Sequence, residues 1–354
     1  MIKKDHDPPH HLHKLNLLLN RLPSYHSRIE EVKEQIAMYQ AGISGEKSLD
    51  FPLSFLDDKR FSIYHDLRLF DGFHYFQLDT IIVTQHYLLI LEVKNISGTL
   101  MFDPTFNQLI RISDTKEEAF PNPLTQVERQ RSQLRTLLQK MNIPEVPIET
   151  LIVVANRRAV LKATEGAQFI SSKVIRGEFL PTKVKLLDKR YGDERLTVKE
   201  VRKLGRILVK LHEPLDRDVL KRFSISREEL LVGVACPTCA RLAMQRLHGR
   251  WFCETCGAYS RNAHLKALQE YALLVSREIT NQEARRFLRM DSGDAATRLL
   301  RSLNLESTGS TKGRRYKLDF DVSRNYPENR GINVLSSSKQ PQKSPPHSHG
   351  GPPY

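Results

Sequence analysis

Two acids and a lysine stand in adjacent apolar runs. Asp79 lies in Phe73–Val83, and Glu92-Val93-Lys94 closes the run that begins at Tyr87. Carboxylates of this kind hold hard divalent cations, which take one or two of them alongside waters and phosphate oxygens. A lysine two residues on is suited to orienting a water and to offsetting charge in a transition state. Together these groups are the equipment of metal-assisted phosphodiester hydrolysis. A bare acid-x-lysine is also the pattern of a solvated sheet edge with a Glu–Lys pair. Asp79 and the apolar setting are what favour a site.

The elements that must position them are two short β-branched and aromatic runs, read as an antiparallel hairpin. With Gln85-His86 at the tip and Thr84 facing Tyr87, counting back sets Asp79 opposite Glu92 and Gln77 opposite Lys94. Opposed residues share a face, and so do residues two apart. Asp79, Glu92 and Lys94 then crowd one face. Like charges directly opposed are destabilising unless a cation relieves them.

A second constellation is Cys236-x₂-Cys239 and Cys253-x₂-Cys256. Two such knuckles predict a tetrahedral, closed, structural Zn²⁺ site of zinc-ribbon type. Four cysteines without an export signal point to a reducing compartment, and the expected location is the cytoplasm. No apolar run is long enough to span a bilayer.

The 354 residues carry a net charge of +14, unevenly spread. Residues 42–154 hold 11 Lys/Arg against 15 Asp/Glu, whereas 155–235 hold 19 against 11 and 236–318 hold 15 against 7. A basic half behind an acidic one fits a polyanion partner, because phosphate neutralisation supplies non-specific affinity. Simple solubility is the other reading of such a surplus.

Along the chain, the polar His- and Pro-rich residues 1–24 read as disordered. An amphipathic helix is expected over Ser27–Gln40, interrupted at 42–46, with a second short helix up to Pro52. Strands are expected at Phe61–Leu69 and Ile148–Ala155, and more weakly at Ser171–Ile175 and Val184–Leu187. A helix is expected over Thr125–Met141. Thr197 with Glu200 forms a capping box opening a helix to Leu211. Residues 156–230 thus form a basic helical extension, and 231–260 the zinc ribbon. Residues 261–320 have a winged-helix cadence: helices over Ala263–Arg277, Thr280–Leu288 and Ser292–Leu303, then a wing over Leu305–Leu318. Arg298, Arg301, Lys312, Arg314, Arg315 and Lys317 are its candidate DNA contacts, with protein contact as the alternative use of such a domain. Residues 321–354 read as a disordered tail.

Several pieces occur in one order: Gly42-Ile43-Ser44-Gly45-Glu46, Gln77-Leu78-Asp79, Glu92-Val93-Lys94-Asn95 running into Ser97-Gly98, and Asn122-Pro123-Leu124-Thr125-Gln126. With these, residues 40–155 resemble the nuclease-related domain family (NERD) of the PD-(D/E)xK restriction-endonuclease-like superfamily, and the domain is expected over 25–155. Leu78 stands where the superfamily pattern has proline. The resemblance implies a four-stranded mixed sheet flanked by helices. It implies Asp79 and Glu92 as Mg²⁺ or Mn²⁺ ligands, Lys94 as the water-positioning base and Glu46 as an accessory acid. Read alone, Glu46 is an ordinary helix-surface acid, and Gln126 either faces the site or caps its helix. The fold class expected is α/β: a restriction-endonuclease-like mixed sheet, a zinc ribbon and a winged helix. The expected function is a metal-dependent nuclease acting on DNA or RNA. The alternative is a catalytically inactive DNA-binding regulatory or accessory protein.

Overall fold

The computed structural model describes residues 1–113, 116–164 and 169–319. The side chain of Lys312 and the expected tail at 321–354 lie outside the described residues. The chain opens with β1 (Ile2–Lys4), α1 (His10–Arg21), α2 (Ile29–Lys47), α3 (Asp50–Leu53), β2 (Ser62–Phe70), β3 (Tyr75–Val83) and β4 (Leu88–Lys94). There follow β5 (Thr99–Asp103), β6 (Gln108–Ile112), β7 (Glu117–Pro121), α4 (Pro123–Lys140), β8 (Ile148–Val154) and β9 (Val160–Ala163). Next come α5 (Ile170–Lys173), β10 (Val174–Arg176), α6 (Leu180–Arg190), α7 (Val198–Leu211) and α8 (Val219–Arg222).

The main sheet is mixed and six-stranded, in the order β1-β2-β3-β4-β8-β10. The resemblance implied four strands; β1 and β10 extend the sheet by parallel pairing at its two edges. One face buries Ile81, Val83, Leu88 and Ile90 against Leu134, Leu137 and Leu138 of α4 and Val201, Leu204 and Leu208 of α7. The other buries Ile82, Leu89 and Leu91 against Leu49, Leu53 of α3, and Leu180 and Val184 of α6. The near-continuous apolar run of β8 follows from this double burial. The α7 capping box is formed as read, and Thr197 Oγ1 accepts from the Glu200 amide at 3.3 Å.

Four expectations need correction. Residues 1–24 are ordered into β1 and α1: Leu15, Leu18 and Leu22 form a buried stripe with Val32 and Ile36 of α2, which the surrounding histidines and prolines obscure. The helix expected to stop near Gln40 runs on to Lys47, because Gly45 is buried against β4 rather than serving as a break. Val184–Leu187, read as a strand, sits inside α6, where Val184 alone of the four is fully enclosed. Ser171–Ile175 divides between α5 and β10. A second sheet, β7-β6-β5-β9, had no counterpart in the sequence reading.

The C-terminal part begins with β11 (Met244–Leu247), β12 (Arg250–Cys253), β13 (Tyr259–Ser260) and α9 (Ala263–Leu274). It ends with β14 (Glu278–Thr280), α10 (Asn281–Leu288), α11 (Gly293–Ser302), β15 (Ser307–Thr308) and β16 (Arg315–Lys317). Three helices with a small antiparallel sheet ordered β14-β16-β15 have the arrangement of a winged helix. Its wing pairs Ser307 with Tyr316 and Thr308 with Arg315. Val234, Cys236, Met244, Trp251 and Cys253 share one core with Leu268, Phe287, Leu288 and Leu300. The four-cysteine module and the winged helix are therefore one packed unit.

Candidate active site

The hairpin has the register counted from the sequence: Val83 pairs with Leu88, and Thr80 with Leu91. Regular pairing stops one step short of Asp79 and Glu92. There Asp79 Oδ2 instead accepts the backbone N–H of Val93 at 2.9 Å. The stop has a visible cause. In β2 and β3 the residues facing α4 and α7 change parity, from Tyr64 to Leu67 and from Leu78 to Ile81. Asp66, at the change, has φ 51, in the left-handed region. Aspartate tolerates that region better than most residues. The twist turns Asp66 and Asp79 out of the regular ladder.

Glu92 is buried at 3% exposure. Its Oε1 accepts from Lys94 Nζ at 2.7 Å and from Gln126 Nε2 at 2.7 Å. Its Oε2 accepts from Gln130 Nε2 at 2.8 Å, and the same amide also donates to Gln77 O at 2.9 Å. Lys94 further donates to Gln126 Oε1 at 3.1 Å. Gln126 and Gln130 lie one turn apart on α4, so both face the strand. Asn122 caps that helix by accepting from the Leu124 amide at 3.0 Å. This leaves Gln126 free of a capping role and settles its two readings in favour of facing Glu92.

Glu46 reaches the same place from α2. A Cβ on Gly45 would meet Asn95 Cβ at 2.5 Å, and Asn95 Nδ2 donates to Ala41 O at 2.8 Å. Only glycine lets this helix lie so close to the end of β4. Burial, the neighbouring Asp66 and, less strongly, Glu92 push the Glu46 carboxyl up to about 7. Burial, then the charges of Glu92 and Glu46, raise Asp79 well above the usual carboxylate range, against the pull of the Val93 amide and Lys94. Several acids are thus pressed together.

Two contributors were missed. His6, carried in after β1, has Nδ1 3.2 Å from Asp66 Oδ2 and Nε2 3.4 Å from Asp50 Oδ1. Burial opposes its protonation, but Asp66 and Asp50 outweigh it and hold its pKa above the ordinary value. His6, Glu46 and Asp66 bring ligand atoms within 4.8 Å of one another, as do His6, Asp50 and His65. His6, Glu46, Asp66 and Gln77 also line a cleft of about 410 Å³. No local pattern announces His6; its place depends on the parallel pairing of β1 with β2. Gln130 had a findable signal, standing four residues after Gln126 on the same helix.

The four cysteines come together with all Sγ atoms within 4.8 Å. Cys236 and Cys256 are 3.6 Å apart, as are Cys239 and Cys253. Tetrahedral Zn–S bonds of about 2.3 Å set sulfurs about 3.8 Å apart. The two knuckles close alike: Ala240 N donates to Cys236 O and Gly257 N to Cys253 O, both at 2.9 Å, with both donors at positive φ. This cluster fits structural zinc.

The predicted nucleic-acid contacts are less uniform. Arg298 and Arg301 are exposed on α11. Arg315 pairs with Glu278 at 3.9 Å, and Lys317 with Glu306 at 3.4 Å and Asp319 at 2.7 Å. Arg314 is half-buried, with Nε lacking a hydrogen-bond partner among the described residues.

Residues 41–155 match the family model of NERD, the nuclease-related domain. The match runs from the last seven residues of α2 through β8 and holds Glu46, Asp66, Asp79, Glu92 and Lys94, but not His6. No curated protein and no solved structure matches the chain. Among the described residues no helix is long and apolar enough to cross a membrane.

Proposed function

We propose that the protein is a metal-dependent nuclease that hydrolyses phosphodiester bonds in DNA or RNA in a reducing, cytoplasmic setting. The observation that carries this is the crowding of Asp79, Glu92 and Glu46 beside Lys94. Burial and neighbouring negative charge hold Asp79 and Glu46 above the usual carboxylate range, and a cation would relieve them. The donor set is all carboxylate oxygen, which suits Mg²⁺ or Mn²⁺. Asp79 and Glu92 would hold the ion, with Glu46 as the accessory acid. When bound, the ion supplies positive charge at the scissile phosphate and acidifies water. Lys94 holds the attacking water and neutralises developing charge. Gln126 and Gln130 fix the Glu92 carboxylate, and the basic C-terminal unit retains the polyanion.

The test is cleavage of single- and double-stranded DNA and RNA by purified protein with Mg²⁺ or Mn²⁺. Asp79→Ala, Glu92→Ala and Lys94→Ala should each lower the rate by about a hundredfold or more. Equal cleavage by wild type and all three would sink the assignment.

A second reading rests on one feature. Both oxygens of Glu92 already accept hydrogen bonds, from Lys94, Gln126 and Gln130. On that reading the domain is an inactive scaffold in a DNA-binding regulatory protein. Titration calorimetry separates the two: the scaffold shows no Mn²⁺ binding that depends on Asp79 and Glu92.

A further inference from the structure

A cleft of about 910 Å³ opens between the strand β11 of the four-cysteine module and the turn joining α10 to α11. Arg246 lines one side, and Arg285, Arg286 and Arg289 line the other. Only two acids, Glu254 and Asp291, share the wall. The arginines differ in how far they are already used. Arg285 donates to Met290 O and Asp291 O, which braces the turn. Arg286 is 3.3 Å from Glu228. Arg289 is exposed and forms no ion pair among the described residues.

Arg246 is the telling member. It pairs across the sheet with Trp251, which is fully buried, and its guanidinium lies 5.3 Å from the indole. Its Nη1 is shielded from solvent and has no hydrogen-bond partner among the described residues. A shielded, unpaired guanidinium donor is costly, and a phosphate oxygen is the acceptor its fork best matches.

We infer that this cleft binds the phosphate backbone of nucleic acid, with Arg246 and Arg289 as the contacting cations. The inference deepens the nuclease reading by giving the polyanion a seat. It differs from an outer-face docking through Arg298 and Arg301. The surplus of positive charge over 236–318 supports it, because the cleft lies wholly within that segment.

The experiment uses full-length, zinc-loaded protein and fluorescein-labelled single- and double-stranded DNA and RNA of about 20 nucleotides, with a salt series and no added Mg²⁺ or Mn²⁺. Anisotropy then reads binding whether or not cleavage occurs. Arg246→Gln plus Arg289→Gln should weaken binding at least tenfold. The slope of log affinity against log salt should flatten by about 1.8 on duplex and by about 1.4 on single strands, since each lost phosphate contact removes about 0.9 or about 0.7. Arg298→Gln plus Arg301→Gln, exposed on α11, should weaken binding less than the cleft variant does. Unchanged affinity and slope in the cleft variant overturns the inference, as does loss confined to the α11 variant. If Arg246→Gln loses zinc, the exposed Arg289→Gln carries the test, and wild-type binding by it overturns the proposal. Binding that depends on the cleft without any cleavage would sink the nuclease reading and leave this one standing.

Discussion

Gly45 and Asn95 are in contact so close that a single added methyl would place two Cβ atoms 2.5 Å apart. That contact sets the height of α2 over the end of β4, and with it the position of Glu46. Gly45→Ala forces the helix outward or displaces the Asn95 backbone, straining the Asn95 bond to Ala41. Overpacking of this kind costs about 1–3 kcal/mol. The expected outcome is a lower melting temperature together with a loss of nuclease rate larger than the loss of folded protein explains. A variant with wild-type melting and wild-type rate would mean the contact is dispensable.

Glu46 gives a pH dependence with a definite sign. Its folded pKa of about 7 lies above the ordinary value, first because of burial and then because of Asp66. The folded state therefore holds the proton more tightly than the unfolded one. Its favourable contribution is present below the unfolded pKa and is lost as pH rises through about 7. Glu46→Gln should accordingly raise the melting temperature at pH 8 by a few degrees, at about 2–4 °C per kcal/mol relieved. It should leave the melting temperature nearly unchanged at pH 4.5. The opposite ordering in thermal scans would contradict the crowding of acids. Mn²⁺ affinity of the wild type should rise across the same interval, as protons leave the carboxylates.

The hairpin that holds Asp79 and Glu92 was legible because β-strand geometry has a period of two and a two-residue loop fixes the count. Arithmetic on the loop gave the register that holds from Thr80–Leu91 to Val83–Leu88. The capping box at Thr197 was legible for a similar reason: its partner Glu200 lies three residues away. Contributions from distant elements were not. His6 meets Asp66 only because β1 adds to the sheet edge, and no pattern near residue 6 encodes that. The sheet β7-β6-β5-β9 hides in half-polar strands such as Glu117–Pro121, whose alternation is weak. Leu15, Leu18 and Leu22 do carry helical spacing, but the composition around them concealed it.

Zinc removal should open more than the knuckles. Cys236 and Cys253 belong to the same core as Leu268, Phe287 and Leu300. Structural zinc contributes about 10–16 kcal/mol in small modules. A strong chelator should expose amides of β11–β13 and of α9–α11 together, while β3, β4 and β8 remain protected. Hydrogen exchange read by mass spectrometry checks this. Protection retained in α9–α11 after complete zinc loss would show the two parts to be independent.

Arg21 on α1 is buried and joined to Glu270 on α9, with Nε 2.9 Å from Oε2. Its Nη1 also donates to Leu231 O and Gly233 O, both at 2.9 Å. Removing one partner strands a buried charge and costs about 3–5 kcal/mol. Arg21→Met and Glu270→Leu should each destabilise strongly in denaturant titrations. The double variant should recover much of the loss, since no unpaired charge remains. Additive losses would argue that the pair itself holds the two helices together.

The same pair has a consequence for how the chain is made. Arg21 and Glu270 are 249 positions apart. The leucine stripe of α1 can meet Val32 and Ile36 of α2 as soon as they emerge, but its other partners, Val219, Leu220, Phe223 and Leu274, are synthesised only much later. The nuclease-like sheet can close during translation, but α1 can dock on α9 only afterwards. The side of the stripe that α2 leaves uncovered is a target for chaperones and a route to aggregation. Slow or truncated synthesis would therefore betray itself first at the amino-terminal helix, far from the segment that failed to appear.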